Sequence, residues 1–328
     1  MTDDNDLTAD GLICAYEFDG RGGARELGRA DLDEDAAGDA VRWFHFDYRP
    51  TETRRWLLAS SGIERTIVDA LIDEDSRPRS IEHGQGLLVI FRGVNSNAGS
   101  QPEDMVSIRI WLEGNRIIST RRRRMASVRH IREDLMAGRG PKNGVDFLIT
   151  LARRLGDRIG PVVEGIDNEL EQAEEQSGAA GFGYRGEFSS LRRQAVRIRR
   201  HLAPQRDGLE RLAKQGSFML SDVQRLELRE EADVITRYLE DLDLIRERAM
   251  VAQEEMIGQL AQEQNNRIYI LSLVAAVFLP LSFLTGLMGM NVAGLPGTEN
   301  PIAFTALSLL MIGAAAGILL LFKWRRWL

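Results

Sequence analysis

The rhythm of apolar and polar positions divides this chain into three parts. Up to about residue 140 the period is short. "LICAYEFDG", "AVRWFHFDY", "GLLVIFRGVN" and "MVSIRIWLEGNRIIST" are runs of β-branched and aromatic residues that predict strands, with turn chemistry in "NSNAGSQPED" and "EGN". Helical spacing interrupts them at 51–73 and returns at 126–137. "GRGGAREL" (20–27) reads as a turn. Strands mixed with helices predict an α/β (α+β) domain over 1–140.

From about Val145 the pattern is helical. Ile159 to Tyr184 carries Glu164, Asp167, Glu169, Glu171, Glu174 and Glu175 with no lysine or arginine. After the glycine-rich "SGAAGFGYRG" comes a basic stretch with Arg192, Arg193, Arg197, Arg199 and Arg200. The simplest expectation is an antiparallel hairpin whose acidic and basic arms face each other. The alternative is an acidic arm that attracts cations. Beyond Asp222, Leu228, Ile235, Leu242 and Ala249 recur every seven positions, with Ala232, Leu239 and Ile245 between them. Proline is absent from 222–290 except at Pro280. An unbroken helix over that range would be a rod of roughly 100 Å at about 1.5 Å per residue, too long for one globular domain.

The rod ends in membrane-like sequence. Ile268–Met290 (23 residues) and Ile302–Phe322 (21 residues) hold no charge, and roughly 20 residues suffice to span a bilayer. Between them, 292–301 has one acid, Glu299, and no base. Arg267 precedes the first run, and Lys323, Arg325 and Arg326 follow the second, with Trp324 and Trp327 as interfacial anchors. The positive residues predict both termini in the cytoplasm and a short outer loop. The expected division is 1–140, an α/β domain; 141–265, a helical hairpin with the cytoplasmic part of the long helix; and 266–328, two membrane spans at about 268–290 and 302–322.

Two helices enclose no interior, so a pathway requires several chains around an axis. Projected at about 100° per residue, Ile268, Leu271, Ala275, Leu279, Ser282, Gly286 and Gly289 share one face of the first span. That face continues through Gln264, Ala261 and Ile257 to Glu254 near its edge. A stripe of small and aliphatic residues also serves helix packing, and both uses are compatible.

The remaining chemistry is sparse. The net charge is −7, without the basic stripe that nucleic acid requires. The single cysteine, Cys14, excludes an internal disulfide framework. "MTDDNDLTAD" has no signal-peptide character. His45, His83, His130 and His201 are scattered without metal-ligand spacing. No cofactor motif and no catalytic constellation is present, so an enzyme is not expected.

"FLPLSFLTGLMGMN", followed by a short loop and one last span, resembles the CorA-type divalent-cation transporters, whose signature tripeptide is here Gly289, Met290 and Asn291. "FDGRGGAREL", "STRRRR", "APQRD" and "GMNVAGLPG" further resemble the zinc-transporting ZntB branch, from which Ala293 and Leu295 depart mildly. The acidic Met-Pro-Glu-type loop of the magnesium branch is absent. The resemblance implies a funnel-shaped homopentamer in the bacterial inner membrane, with a cytoplasmic α/β domain, a pore-lining long helix and an outer helix. It implies that Asn291 side chains ring the outer mouth and meet the metal through its water shell. The implied cargo is zinc, with magnesium, cobalt, nickel and cadmium as further candidates and protons as a coupling ion. Two alternatives stand: a passive magnesium, cobalt or nickel channel, and a membrane-anchored cytoplasmic sensor or scaffold without a pore.

Overall fold

The computed structural model describes residues 11–32, 40–180, 185–215, 220–290, 295 and 300–325. They form two compact units, 1–253 and 254–328.

The first unit is built on seven strands: β1 (Leu12–Phe18), β2 (Ala24–Glu26), β3 (Arg42–Asp47), β4 (Arg79–His83), β5 (Gly86–Gly93), β6 (Val106–Glu113) and β7 (Arg116–Arg121). Their order is β2-β1-β3-β7-β6-β5-β4. Every pairing is antiparallel except β3 with β7, where Arg42 is in register with Arg116. The helices α1 (Thr51–Ala59) and α2 (Arg65–Ile72) lie in the chain between β3 and β4, and α1 starts directly after Pro50, whose fixed φ suits a helix entrance.

All six residues of β3 are buried. Strand geometry sends alternate side chains to opposite faces, and both faces are covered here. Phe44 and Phe46 join Trp56, Leu57, Ile67, Val68 and Leu71 of α1 and α2 in one core. On the other face, Trp43 packs against Phe147 with ring centroids 4.8 Å apart. Such an aromatic pair contributes roughly 1 kcal/mol beyond its buried area. A strand covered on both sides reads as a continuous apolar run, which is why "RWFHF" was legible.

Two strands escape that signal. β4 alternates polar residues with Ile81 and is mostly exposed, and β2 is three residues long. Part of "GRGGAREL" is therefore strand: Phe18 pairs with Ala24 and Tyr16 with Glu26. Polar edges carry no apolar alternation to detect. Gly86, opening β5, lies against the Trp111 ring, where a Cβ would come within 2.2 Å of ring carbon. Only glycine fits this approach.

Beyond the sheet lie α3 (Ala126–Met136), α4 (Gly144–Ala180), α5 (Arg185–Gln215) and α6 (Asp222–Met288). The long helix is continuous for 67 residues, with Pro280 inside it. Its seven-residue repeat is a buried seam: Leu228, Ala232, Ile235, Leu239, Leu242, Ile245 and Ala249 are each at most 5% exposed. The seam is covered within the chain, where Tyr238 abuts Gly160 and Arg153 pairs with Glu231 at 2.8 Å.

The expected charge pairing between hairpin arms is corrected. Among the described residues two acids of α4 meet α6: Arg248 reaches Asp167 at 2.8 Å and Glu174 at 2.6 Å. The arginines of α5 also look elsewhere, Arg199 to Asp243 at 2.8 Å and Arg197 to Asp104 at 3.6 Å. Partly exposed pairs contribute about 0–1 kcal/mol each, against about 1.5–3 for a fully buried leucine or isoleucine. The apolar stripes set the packing, and the charges take whichever partner that packing brings near.

The second unit holds the end of α6 and a final helix, α7 (Ala303–Trp324). Both are long and apolar enough to cross a membrane. Helix α6 stops before Gly289, whose N–H donates to the Thr285 carbonyl at 2.9 Å. Before α7, the Asn300 side-chain oxygen accepts from the Ile302 N–H at 3.0 Å, satisfying a donor that helix starts leave free.

Candidate ion pathway

Leu273, Val277, Leu281 and Leu284 are the less exposed positions on the apolar part of α6, and Leu307, Met311, Ala314, Ile318 and Phe322 on α7 are their counterparts. Each set follows steps of three and four, which is one helical stripe. Along these stripes each helix is partly covered.

The predicted pore face lies elsewhere. Glu254, Gln264, Ile268, Leu271, Ala275, Leu279 and Ser282 all belong to α6, and all are exposed. Leu271 and Leu279 are 70% and 75% exposed. At about 100° per residue, the centre of this face is about 160° around the helix from the partly covered stripe. The chain's own second apolar helix therefore leaves the face uncovered. Gly286 is on the same face, and Gly289 and Met290 follow where α6 ends. Asn291, most of the loop between the two apolar helices with Glu299, and Arg326 and Trp327 lie outside the described residues.

Chemically the face is nearly mute. Its polar groups in and beside the span are the Ser282 hydroxyl and the Gln264 amide. Spacing alone did not reveal that the Thr285 hydroxyl donates to the Ser282 carbonyl at 2.9 Å, a bond that consumes Thr285 inside its own helix. Glu254 lies at the far end of the face, a couple of turns beyond Arg246 and Arg248 on α6. Arg246 meets Asp243 at 3.5 Å, and Arg248 is held by Asp167 and Glu174.

Among the described residues no three His, Cys, Asp or Glu side chains are grouped to hold a metal ion. The histidines sit in separate places. His45 is fully buried, with Nδ1 2.8 Å from Ser119 Oγ, and burial followed by the charge of Arg121 pushes its pKa well below the usual value. His83 meets Glu64 at 2.5 Å. Burial, then the nearby Arg158, lowers His130. Within the apolar part of this face an ion would meet neutral oxygen atoms and methyl groups, with the Glu254 carboxylate at its far end.

Residues 38–325 match the sequence family described as "CorA-like Mg2+ transporter protein". The chain is 38% identical over 322 residues to the divalent cation transporter CmaX of Pseudomonas aeruginosa, covering 97% of each. It is 32% identical over 323 residues to the zinc transport protein ZntB of Pectobacterium carotovorum, covering 98% of each. The solved structure of full-length CmaX superposes with a TM-score of 0.85 over 97% of this chain and 98% of that one. The sheet domain, the long helix and the two apolar helices agree with a match of this extent, so the chain belongs to the CorA-like Mg2+ transporter family: it is an ion transporter and not an enzyme.

Proposed function

We propose that this divalent-cation transporter assembles as a homopentamer around α6 and carries zinc into the cytoplasm across the inner membrane. The carrying observation is the uncovered face of α6 opposite its partly covered stripe. Copies related by an axis would bring Ile268, Leu271, Ala275, Leu279 and Ser282 together, leaving α7 outside towards lipid. Gly289, Met290 and Asn291 would form the outer mouth. There the Asn291 side-chain oxygens accept hydrogen bonds from the water shell of the ion and bind it weakly enough to release it. Arg267 before the apolar run, with Lys323 in the last turn of α7 and Arg325 just beyond it, supports both termini inside. Zinc is supported by the likeness to ZntB.

A second reading has its own observation. The face offers oxygen atoms and neither histidine nor cysteine, the ligands zinc prefers. A hydrated ion held this way suits a passive magnesium, cobalt or nickel channel equally well. Residues 268–288 also hold no acid, base or histidine, so proton coupling would not run along side chains within that helix.

Flux into proteoliposomes separates these readings, with zinc, cadmium, cobalt, nickel and magnesium offered with and without an inward proton gradient. We expect saturable zinc uptake that exceeds magnesium uptake and rises with the proton gradient. Faster magnesium uptake, indifferent to protons, would replace the zinc reading by the passive channel. Asn291→Ala should remove most of the flux while leaving the assembly's mass unchanged. Undiminished flux in that variant would take Asn291 off the pathway.

A further inference from the structure

Strands β3, β5 and β7 run in the same direction, and where they finish a cleft of about 510 Å³ opens within the first unit. Five arginines line it: Arg92 near the end of β5, Arg122 and Arg123 just past β7, and Arg197 and Arg200 on α5. Two have carboxylate partners. Arg122 meets Glu74 at 2.6 Å, and Arg197 meets Asp104 at 3.6 Å. Arg123 and Arg200 are exposed and make no ion pair among the described residues. Arg92 is half-buried, and its guanidinium donates to the carbonyls of Ser76 and Met105 at 3.0–3.3 Å. Glu103 is the one further acid lining the cleft.

The deeper groups make the imbalance sharper. Tyr48 is fully buried against the cleft, and its hydroxyl has no hydrogen-bond partner. The guanidinium of Arg109, itself fully buried, lies 5.0 Å from the Tyr48 ring centre. Arg109 Nη2 donates to the Asp73 carbonyl, while Nε and Nη1 have no partner. His201 Nδ1, also lining the cleft, has none either. Buried donors without an acceptor are costly. An anion in the cleft would offer an acceptor to the Tyr48 hydroxyl and to a protonated His201 Nδ1, both of which line it.

We propose that this cleft binds a soluble polyphosphate ligand of the size of a nucleoside di- or triphosphate. Guanidinium groups fork onto phosphate oxygens in pairs, and several unpaired arginines call for several negative charges. The volume falls within the roughly 300–1,000 Å³ typical of small-molecule pockets, which is more than a lone inorganic ion needs. Arg123 and Arg200 reach the ligand from opposite sides, from the end of β7 and from α5. Tyr48 supplies a hydroxyl from within. The run "STRRRR", which the ion pathway does not use, thereby acquires a role through Arg122 and Arg123.

The test is titration calorimetry on the full chain in detergent, with chelator present so that divalent cations take no part. ATP, inorganic triphosphate and citrate are compared. ATP and triphosphate should each bind saturably, one per chain, and citrate much more weakly. Arg123→Gln and Arg200→Gln, at exposed positions, should each weaken ATP about tenfold, the usual effect of losing one charge-assisted hydrogen bond. Tyr48→Phe should weaken it about threefold to tenfold. Arg65→Gln, on the exposed start of α2, should change nothing. Absence of saturable binding at millimolar ATP and triphosphate, unchanged affinity in both arginine variants, or equal binding of citrate would each overturn the proposal. So would loss of assembly mass in those variants without loss of ATP binding, which would assign the arginines to a contact between copies. Preference for anionic lipid vesicles over ATP would assign the phosphate chemistry to a membrane surface and overturn a soluble ligand.

Discussion

A single imidazole shows how the environment sets a residue's chemistry. His201 is half-buried, and burial lowers its pKa from the usual 6.5 to about 4, helped by the charges of Arg92 and Arg200. The folded state therefore favours the neutral ring, while the unfolded chain binds a proton near 6.5. The stability this difference gives is fully present above 6.5 and is lost as the pH falls towards 4. With solvent screening of a half-exposed group allowed for, the loss is about 1–2 kcal/mol. His45 titrates in the same sense, so His201→Gln should reduce the acid sensitivity without abolishing it. Thermal unfolding midpoints at pH 7 and pH 5 measure this. An equal drop in the variant and the parent would show that His201 is not a source. Nothing in the sequence marked this residue. Its neighbours come from Arg92 on a strand and Arg200 on a helix, more than a hundred positions apart.

Elements were legible where their periods were strong. The buried strands, α3 and the unbroken α6 follow from spacing, since a period names the face an element must hide. It does not name the neighbour that hides it. The seven-residue seam of α6 could have paired with another copy, and it is covered by the same chain. The acidic arm of α4 was likewise read as an acid face, and its partner proved to be Arg248 rather than the arginines of α5. The candidate pathway divides in the same way. Its proposed face comes from a 100° projection alone, whereas the partly covered stripe of α6 required the fold. The packing of Gly86 on Trp111 gives an element-scale prediction. Gly86→Ala puts a methyl group into a fixed ring between β5 and β6, and should destabilise the sheet by about 1–3 kcal/mol. Denaturant unfolding followed by tryptophan fluorescence would read it. A shift within error would mean that Trp111 can rotate away.

At the scale of the whole molecule, the proposed pathway exists only if copies assemble. One chain weighs 36.8 kDa, and native mass measurement in detergent should return five times that value. A monomer that still transports would end the axial arrangement. A stable dimer or tetramer would keep the uncovered face of α6 as the interface and change the number of copies around it.

The parallel pairing of β3 with β7 has a kinetic consequence. Strands β5, β6 and β7 follow one another in the chain and can join as local hairpins. β3 must find β7 across 74 positions, from Arg42 to Arg116. Closing a longer loop costs more entropy, and pairing remote in sequence slows folding. The meander should therefore form first and wait with one edge of β7 open. Until β3 arrives, Trp43, Phe44 and Phe46 remain in water, and the open edge can accept a strand from another chain. The interval before that one strand is inserted is when a newly made chain is most prone to aggregate.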